Sequence, residues 1–288
     1  MKNLKYVLGA AAFIFTFNAN ASAIADVDGV IWDTEALATN PSQPADDWEG
    51  KTSYTQWFQS ESAEDTFGAR ATIDTANLGD LVGKSLTSTG RFSEINGTNS
   101  VDNDPNPETN PSNFCPTCEL TYAVGGMVVD SVTVSVSGAV TFGFNIDNAW
   151  ANLYSDTAKN YGNEPIETLD AVDSSFGHAF LELKVDTFSL AATLIAVGNE
   201  TILFGSFSAL LSVEGGEAFD YFDTNTKINP DTGFASDISY TSSAQFTDGE
   251  DFSTGTAEVF GNTVPEPASL ALLGLGLLGM GATRKRNA

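Results

Sequence analysis

SVTVSVSGAVTFGFNI, residues 131–146, is the stretch that decides the fold. Val132, Val134, Val136, Val140, Phe142, Phe144 and Ile146 share one parity, and Ser131, Thr133, Ser135, Ser137, Thr141 and Asn145 take the other. Successive side chains of an extended chain point to opposite faces. The alternation therefore predicts one buried apolar face and one wet hydroxyl face. Ser137-Gly138-Ala139 interrupts it and predicts a bulge or a bend between two strands.

The same grammar runs outward. Phe180–Val185 (FLELKV) alternates again. Phe188–Val197 and Thr201–Val213 are apolar runs separated by Gly198-Asn199-Glu200, which predicts a long hairpin. Two amphipathic helices are the competing reading, and the β-branched and aromatic content favours strands. Further strands are predicted at Val30–Trp32, Thr52–Phe58, Gly68–Ile73, Leu86–Ile95, Glu119–Val124, Ile238–Phe246 and Thr256–Phe260. Leu169–Phe176 reads as a short helical turn. Asn99–Asn113, rich in Pro, Asn and acids, reads as a long surface loop. No fixed repeat period is present, which argues against a solenoid. Short strands joined by Gly and Asn/Asp turns, with little helix pattern, predict an all-β fold: an antiparallel β-sandwich, jelly-roll-like.

Both ends of the chain read as addresses rather than as fold. Lys2 and Lys5 precede an apolar stretch, Tyr6–Phe17, and Ala21-Ser22-Ala23 is a small-x-small cleavage site. Residues 1–23 therefore read as a secretory signal peptide. At the other end, Val264-Pro265-Glu266-Pro267 is followed by a run of Leu, Gly and Ala over 268–283, then by Arg284-Lys285-Arg286. As a helix, Ala268–Ala282 spans roughly 22 Å. A bilayer core is about 30 Å, so the run is short for a permanent anchor unless the arginines snorkel. The basic cluster belongs on the cytoplasmic side. The prolines break the helix at the outer face and leave an extended place for a processing enzyme.

These three parts, in this order, resemble the PEP-CTERM sorting signal of Gram-negative bacteria. The resemblance implies recognition by an exosortase, a membrane-embedded transpeptidase-like enzyme, and cleavage near Pro265-Glu266-Pro267. It implies export across the inner membrane with transient anchoring there, then a place at the cell surface or outside the cell, often with exopolysaccharide and biofilm. Cys115-Pro116-Thr117-Cys118 followed by Glu119-Leu120-Thr121 also resembles a segment of one subset of PEP-CTERM exoproteins. The reading divides the chain into a signal peptide (1–23), one all-β exported domain (24–262) and the sorting signal (263–288).

Composition bounds the function. Lys and Arg number 12 against 38 Asp and Glu, and between residues 24 and 264 the counts are 7 and 37. Such a surface repels nucleic acid and anionic lipid. Cys115 and Cys118 are the only cysteines. A structural disulfide is the simplest outcome in an oxidising compartment, beside a redox pair and a metal half-site. Zinc would need two more ligands, and the chain has one histidine, His178. Asp102-Asn103-Asp104 departs from a calcium loop, since Pro107 stands where the turn glycine belongs. Gly274-Leu275-Gly276-Leu277-Leu278-Gly279 matches a dinucleotide fingerprint only formally, with no strand-helix context. The lone His178 and the absence of a nucleophile-elbow motif argue against a hydrolase triad. Trp32, Trp48, Trp57 and Trp150 would either stack on sugar rings or pack in a core. The expectation is an exported, non-enzymatic protein with no cofactor and no metal, processed by exosortase and associated with extracellular polysaccharide. The alternative is a secreted glycan-acting enzyme built on an Asp/Glu pair.

Overall fold

The computed structural model describes residues 24–34, 46–59, 70–99, 113–161, 172 and 179–264. The expected signal peptide with Ala21 and Ala23, most of the Asn/Pro loop, His178 and everything from Pro265 onward lie outside the described residues. So does the predicted helical turn over 169–176, except Val172.

Fourteen strands form among the described residues: β1 (Ile24–Val27), β2 (Val30–Asp33), β3 (Trp48–Gln59), β4 (Ser85–Ile95), β5 (Thr98–Asn99), β6 (Glu119–Val134), β7 (Ala139–Asn145), β8 (Trp150–Asp156), β9 (Ala179–Val197), β10 (Glu200–Gly215), β11 (Lys227–Ile228), β12 (Ala235–Ser236), β13 (Ile238–Thr247) and β14 (Ser253–Gly261). One turn of helix, α1, covers Phe219–Phe222. The all-β expectation holds. The sandwich does not appear as two separate sheets. β3, β14, β13, β10, β9, β8, β6 and β4 pair in that order, all antiparallel, and β4 pairs back to β3. The sheet closes on itself as an eight-position barrel, which removes its edges. β7 fills the gap between the far halves of β6 and β9.

The two longest strands make the corners. The break between FLELKV and the next apolar run is not a strand end. It is a bulge at Asp186 inside β9, where Leu210 pairs with Thr187 but Leu211 pairs with Val185. Leu181, Leu183 and Val185 are buried before it, Leu190 and Ala192 after it, so inward parity flips at the extra residue. Asp186 is held there by the Ser236 hydroxyl at 2.8 Å and by the Ser212 hydroxyl. Gly125-Gly126 does the same in β6: the inward set passes from Tyr122 to Met127 and Val129, and pairing passes from β8 to β7. The predicted long hairpin is β9–β10, turning through Gly198-Asn199 with Gly198 at φ +66°.

A row of side chains round the barrel explains how it fits. Leu153, Tyr122, Gly90, Tyr54, Gly255, Ala244, Gly205 and Ala192 are successive cross-strand partners. A methyl group on Gly90 would overlap the Tyr122 ring, and one on Gly255 would overlap the Tyr54 hydroxyl. Each tyrosine thus lies across the glycine beside it, large against small, as a narrow barrel interior requires. Thr52 and Tyr122 hydroxyls meet at 3.2 Å, and Tyr54 donates to the Ser243 carbonyl at 2.9 Å. Burial pushes the phenols of Tyr54, Tyr122 and Tyr240 upward, so they stay protonated.

Two aromatic groups close the ends of the interior. Trp32 of β2, Trp48 of β3 and Phe222 of α1 meet with ring centroids 5.2–5.5 Å apart around Phe222. Phe58, Phe142, Phe144, Phe188 and Phe207 form the second group through successive contacts at 4.9–6.3 Å.

Two expectations are corrected and one open choice is settled. Residues 70–73 form no strand: Arg70 makes one isolated bridge to Gln59, and the Ala71 and Ile73 amides turn to Phe58 and Glu250 carbonyls. Val134 and Val136 share the core parity yet are exposed, because the β6–β7 hairpin runs past the barrel end. Trp32, Trp48 and Trp57 are 3%, 1% and 1% exposed, which assigns them to packing and takes them from any sugar surface.

Replacing Gly90 by Val forces the Tyr122 ring from its place. The expected loss is about 1–3 kcal/mol, read from the urea midpoint. Tyr122→Leu in the same chain recovers part of it, so the pair falls short of the sum of its singles.

Candidate functional site

β14 leaves the barrel at the end closed by Trp48 and Phe222, and the residues after it are each held in place. Gly261 is the last paired residue, opposite Trp48 on one side and Ile238 on the other. Asn262 accepts from the Asp47 amide at 3.2 Å and donates to the Thr226 hydroxyl at 2.8 Å. Thr263 donates its amide to an Asp47 carboxylate oxygen at 2.6 Å, and its hydroxyl meets the same oxygen at 3.2 Å. The Val264 amide donates to the Tyr221 carbonyl at 2.8 Å. Thr263 is 5% exposed.

The groups that hold this exit are held in turn. Asp237, buried, accepts the Val213 amide on one oxygen and the Thr224 and Asn225 amides on the other, at 2.5–2.8 Å. That fixes the loop carrying Thr226. Lys227 comes next and forms a buried ion pair with Asp46. Tyr221 packs edge-on against Trp32 at 5.4 Å. Burial pushes the Asp47 carboxyl above its ordinary value, and the two Thr263 hydrogen bonds oppose this without overcoming it.

Among the described residues, an interior cavity and an outer groove lie away from this exit. The interior cavity, about 60 Å³, is bordered by Phe92, Tyr122, Leu153, Phe207 and Ile238. Ligand sites run to several hundred Å³, so it is a gap in the core and no cleft for a polymer. A larger groove, about 930 Å³, lies on the outer wall of β3, β14, β13 and β10. Ser53, Thr55, Ser243, Gln245, Thr254 and Thr256 form its floor, and Tyr161, Phe204 and Phe252 supply its aromatic surfaces. Glu250 is the one carboxylate among its described lining residues. A two-carboxylate hydrolase needs a second acid there. Trp150, the remaining tryptophan, sits partly buried over Gly125.

Cys115 and Cys118 lie side by side with Cα atoms 5.1 Å apart, within disulfide reach, and are 1% and 2% exposed. The Cys118 sulfur abuts Gly29, and the Phe114 carbonyl takes the Ile31 amide, so the pair tacks the β1–β2 hairpin onto the barrel. No group of three or more His, Cys, Asp or Glu able to hold a metal is present among the described residues.

Comparison with known proteins decides what the exit leads to. The profile of the PEP-CTERM protein-sorting motif matches residues 263–286. The chain carries a PEP-CTERM motif. Its first two residues, Thr263 and Val264, are the ones tied to the barrel by Asp47 and Tyr221. Neither a curated protein nor a solved structure matches the chain. Of the residues singled out from sequence for sorting, Val264 is described; Pro265, Glu266, Pro267, Arg284, Lys285 and Arg286 lie outside the described residues. Asp47 and Tyr221 escaped the sequence reading: Asp47 looks like any acid of a loop, and its partner is 216 residues away.

Lys227→Met leaves Asp46 buried without its cation and is expected to cost about 3–5 kcal/mol, whereas Lys227→Met with Asp46→Leu recovers most of that loss in a urea titration. Asp47 gives stability a pH dependence. Its folded pKa is raised, so its contribution is fully present below the unfolded value and is lost as pH rises through the folded value. Acidification from neutral pH therefore favours the fold through this group, and Asp47→Asn flattens that part of the midpoint-against-pH curve.

Proposed function

We propose that this chain is an exported, non-enzymatic protein that works at the cell surface or in the extracellular matrix, in contact with exopolysaccharide. The PEP-CTERM motif carries the reading: it indicates export and sorting by exosortase at the membrane. The expected leader at 1–23, with Ala21 and Ala23 at its cleavage site, would send the chain out. The run over 268–283 and the basic stop at Arg284, Lys285 and Arg286 would hold it at the inner membrane until processing. A Cys115–Cys118 disulfide suits the oxidising side, where a small outward loop gains from a covalent tack.

The outer-wall groove supports the polysaccharide part. Its floor is hydroxyl and amide in a chain that elsewhere carries a large acidic excess, and no cation is among its described lining residues. Phe204 is 45% exposed at its border. Uncharged hydrogen-bonding groups beside exposed aromatic faces suit a polymer of uncharged sugars: hydroxyls pair with hydroxyls while ring faces cover apolar C–H surface.

The test is co-sedimentation of the processed protein with the organism's own polymer. Retention is expected, along with a severalfold loss in the Phe204→Ala, Phe252→Ala double variant at unchanged melting temperature. Equal recovery with and without polymer removes the polysaccharide reading. Shortening of the polymer would instead point to the carboxylate-pair enzyme.

A further inference from the structure

We propose that the far half of β6 is a docking edge for a second copy of this chain: Val132 and Val134 pair antiparallel with the same residues of the other copy, and the sheet runs on from one molecule into the next. Closure pairs β6 on both sides only as far as Val129, whose carbonyl takes the Gly83 amide and whose amide donates to the Lys84 carbonyl. From there to Val134, β6 runs past the barrel end with β7 on one side. Ser135 donates its amide to the Ala139 carbonyl, so the bonded pairs of this hairpin are Ser135 with Ala139 and, two residues along, Thr133 with Thr141. The amides and carbonyls of Val132 and Val134 therefore point away from β7, and no backbone partner meets them there among the described residues. Ser131, Thr133, Val134, Ser135 and Val136 are all exposed.

A strand edge with free donors and acceptors takes another strand. This edge suits a copy of itself. SVTVSV, residues 131–136, carries no charge in a chain whose formal charge is −26. Copies of the chain repel one another over their acidic walls, and this edge is where two of them can approach. Its residue pattern is also complementary under a two-fold axis through Thr133. Val132 of one copy then falls opposite Val134 of the other, and each such pair exchanges both of its backbone hydrogen bonds. The valines of both copies share one face, and the hydroxyls of Ser131, Thr133 and Ser135 share the other. Asp130 is the nearest charge on the strand and lies three residues from the axis. The two Asp130 carboxylates thus stand about 20 Å apart, beyond a screening length of about 8 Å in physiological salt. The same register carries Val136 of each copy toward Val82 of the other, which is 47% exposed beside the Gly83–Val129 bond.

The contact is small. A single short strand pair buries less than the roughly 1,000 Å² of a stable interface, so the dimer is weak and depends on concentration. Salt tightens it, because screening weakens the repulsion between the acidic barrels. Copies held on one surface meet at high local concentration, where such a contact is occupied.

The experiment uses the protein purified from its own cells and reads the register by cross-linking. Thr133→Cys meets itself across the axis, where facing Cα atoms of a non-bonded pair are about 4.5 Å apart, within disulfide reach. Ser131→Cys lies on the same strand and face and is likewise exposed, but its two copies stand about 14 Å apart. Under mild oxidation Thr133→Cys is expected to form a reducible covalent dimer about tenfold faster than Ser131→Cys. Equal rates, or no dimer from either, overturn the proposal. In sedimentation equilibrium the parent's average mass is expected to rise with concentration into the millimolar range, and to rise further with added salt. Val134→Pro removes an outward amide and no bond to β7, so it is expected to keep the monomer mass and the parent's melting temperature. A parent that stays monomeric throughout, or a Val134→Pro chain that associates as the parent does, overturns the proposal.

Discussion

The pairing of β4 with β6 is the constraint on which the rest depends. Without it, β4 and β6 would be edges of an open sheet, with Thr89, Tyr122 and Ala123 offering unpaired backbone to any other strand. With it, the barrel interior is sealed, and the side chains that fill it must alternate in size. Gly90 sits on the seam because Tyr122 occupies the space its side chain would need. The bulges at Asp186 and near Gly125-Gly126 serve the same closure. They bend the two long strands while keeping apolar residues inward on both sides of the bend.

Closure also fixes where the chain leaves. β14 is held between β13 and β3, so its end lies against Trp48 and the plug of Trp32 and Phe222. The plug holds α1, α1 presents the Tyr221 carbonyl, and that carbonyl receives Val264. The polar ties around it, Asp46 with Lys227 and Asp237 with three amides, are buried, which gives the exit one geometry rather than several. A folded domain and a sorting signal are thus joined without a spacer. The matched motif begins two residues past the last paired residue of β14, and its first two amides are bonded to the end of the barrel.

The strands were readable from residue pattern because period 2 is local. Val140 and Phe142 point inward as their parity requires. The Gly198-Asn199 turn forms where turn chemistry places it. The barrel was not readable, because closure is set by partners such as Thr89 and Ala123, far apart in the chain and with nothing local to mark them. The same holds for Trp32, Trp48 and Trp57, whose type suits a sugar surface and a core equally well. The sorting motif was plain from its order of parts, since proline, an apolar run and a basic end act through composition. Its tie to the barrel was hidden, because Asp47 accepts hydrogen bonds from a residue at the other end of the domain.

Residue-resolved amide hydrogen exchange on the native chain tests the central claim, a closed barrel that holds the first residues of the sorting motif. Closure predicts that amides at 88–91 and 121–124 exchange as slowly as those in the middle of β10 and β13, and that the Thr263 and Val264 amides are protected above unstructured rates. Fast exchange along the β4–β6 seam would mean an open sheet. Unprotected amides at Thr263 and Val264 would mean that the motif hangs free of the fold.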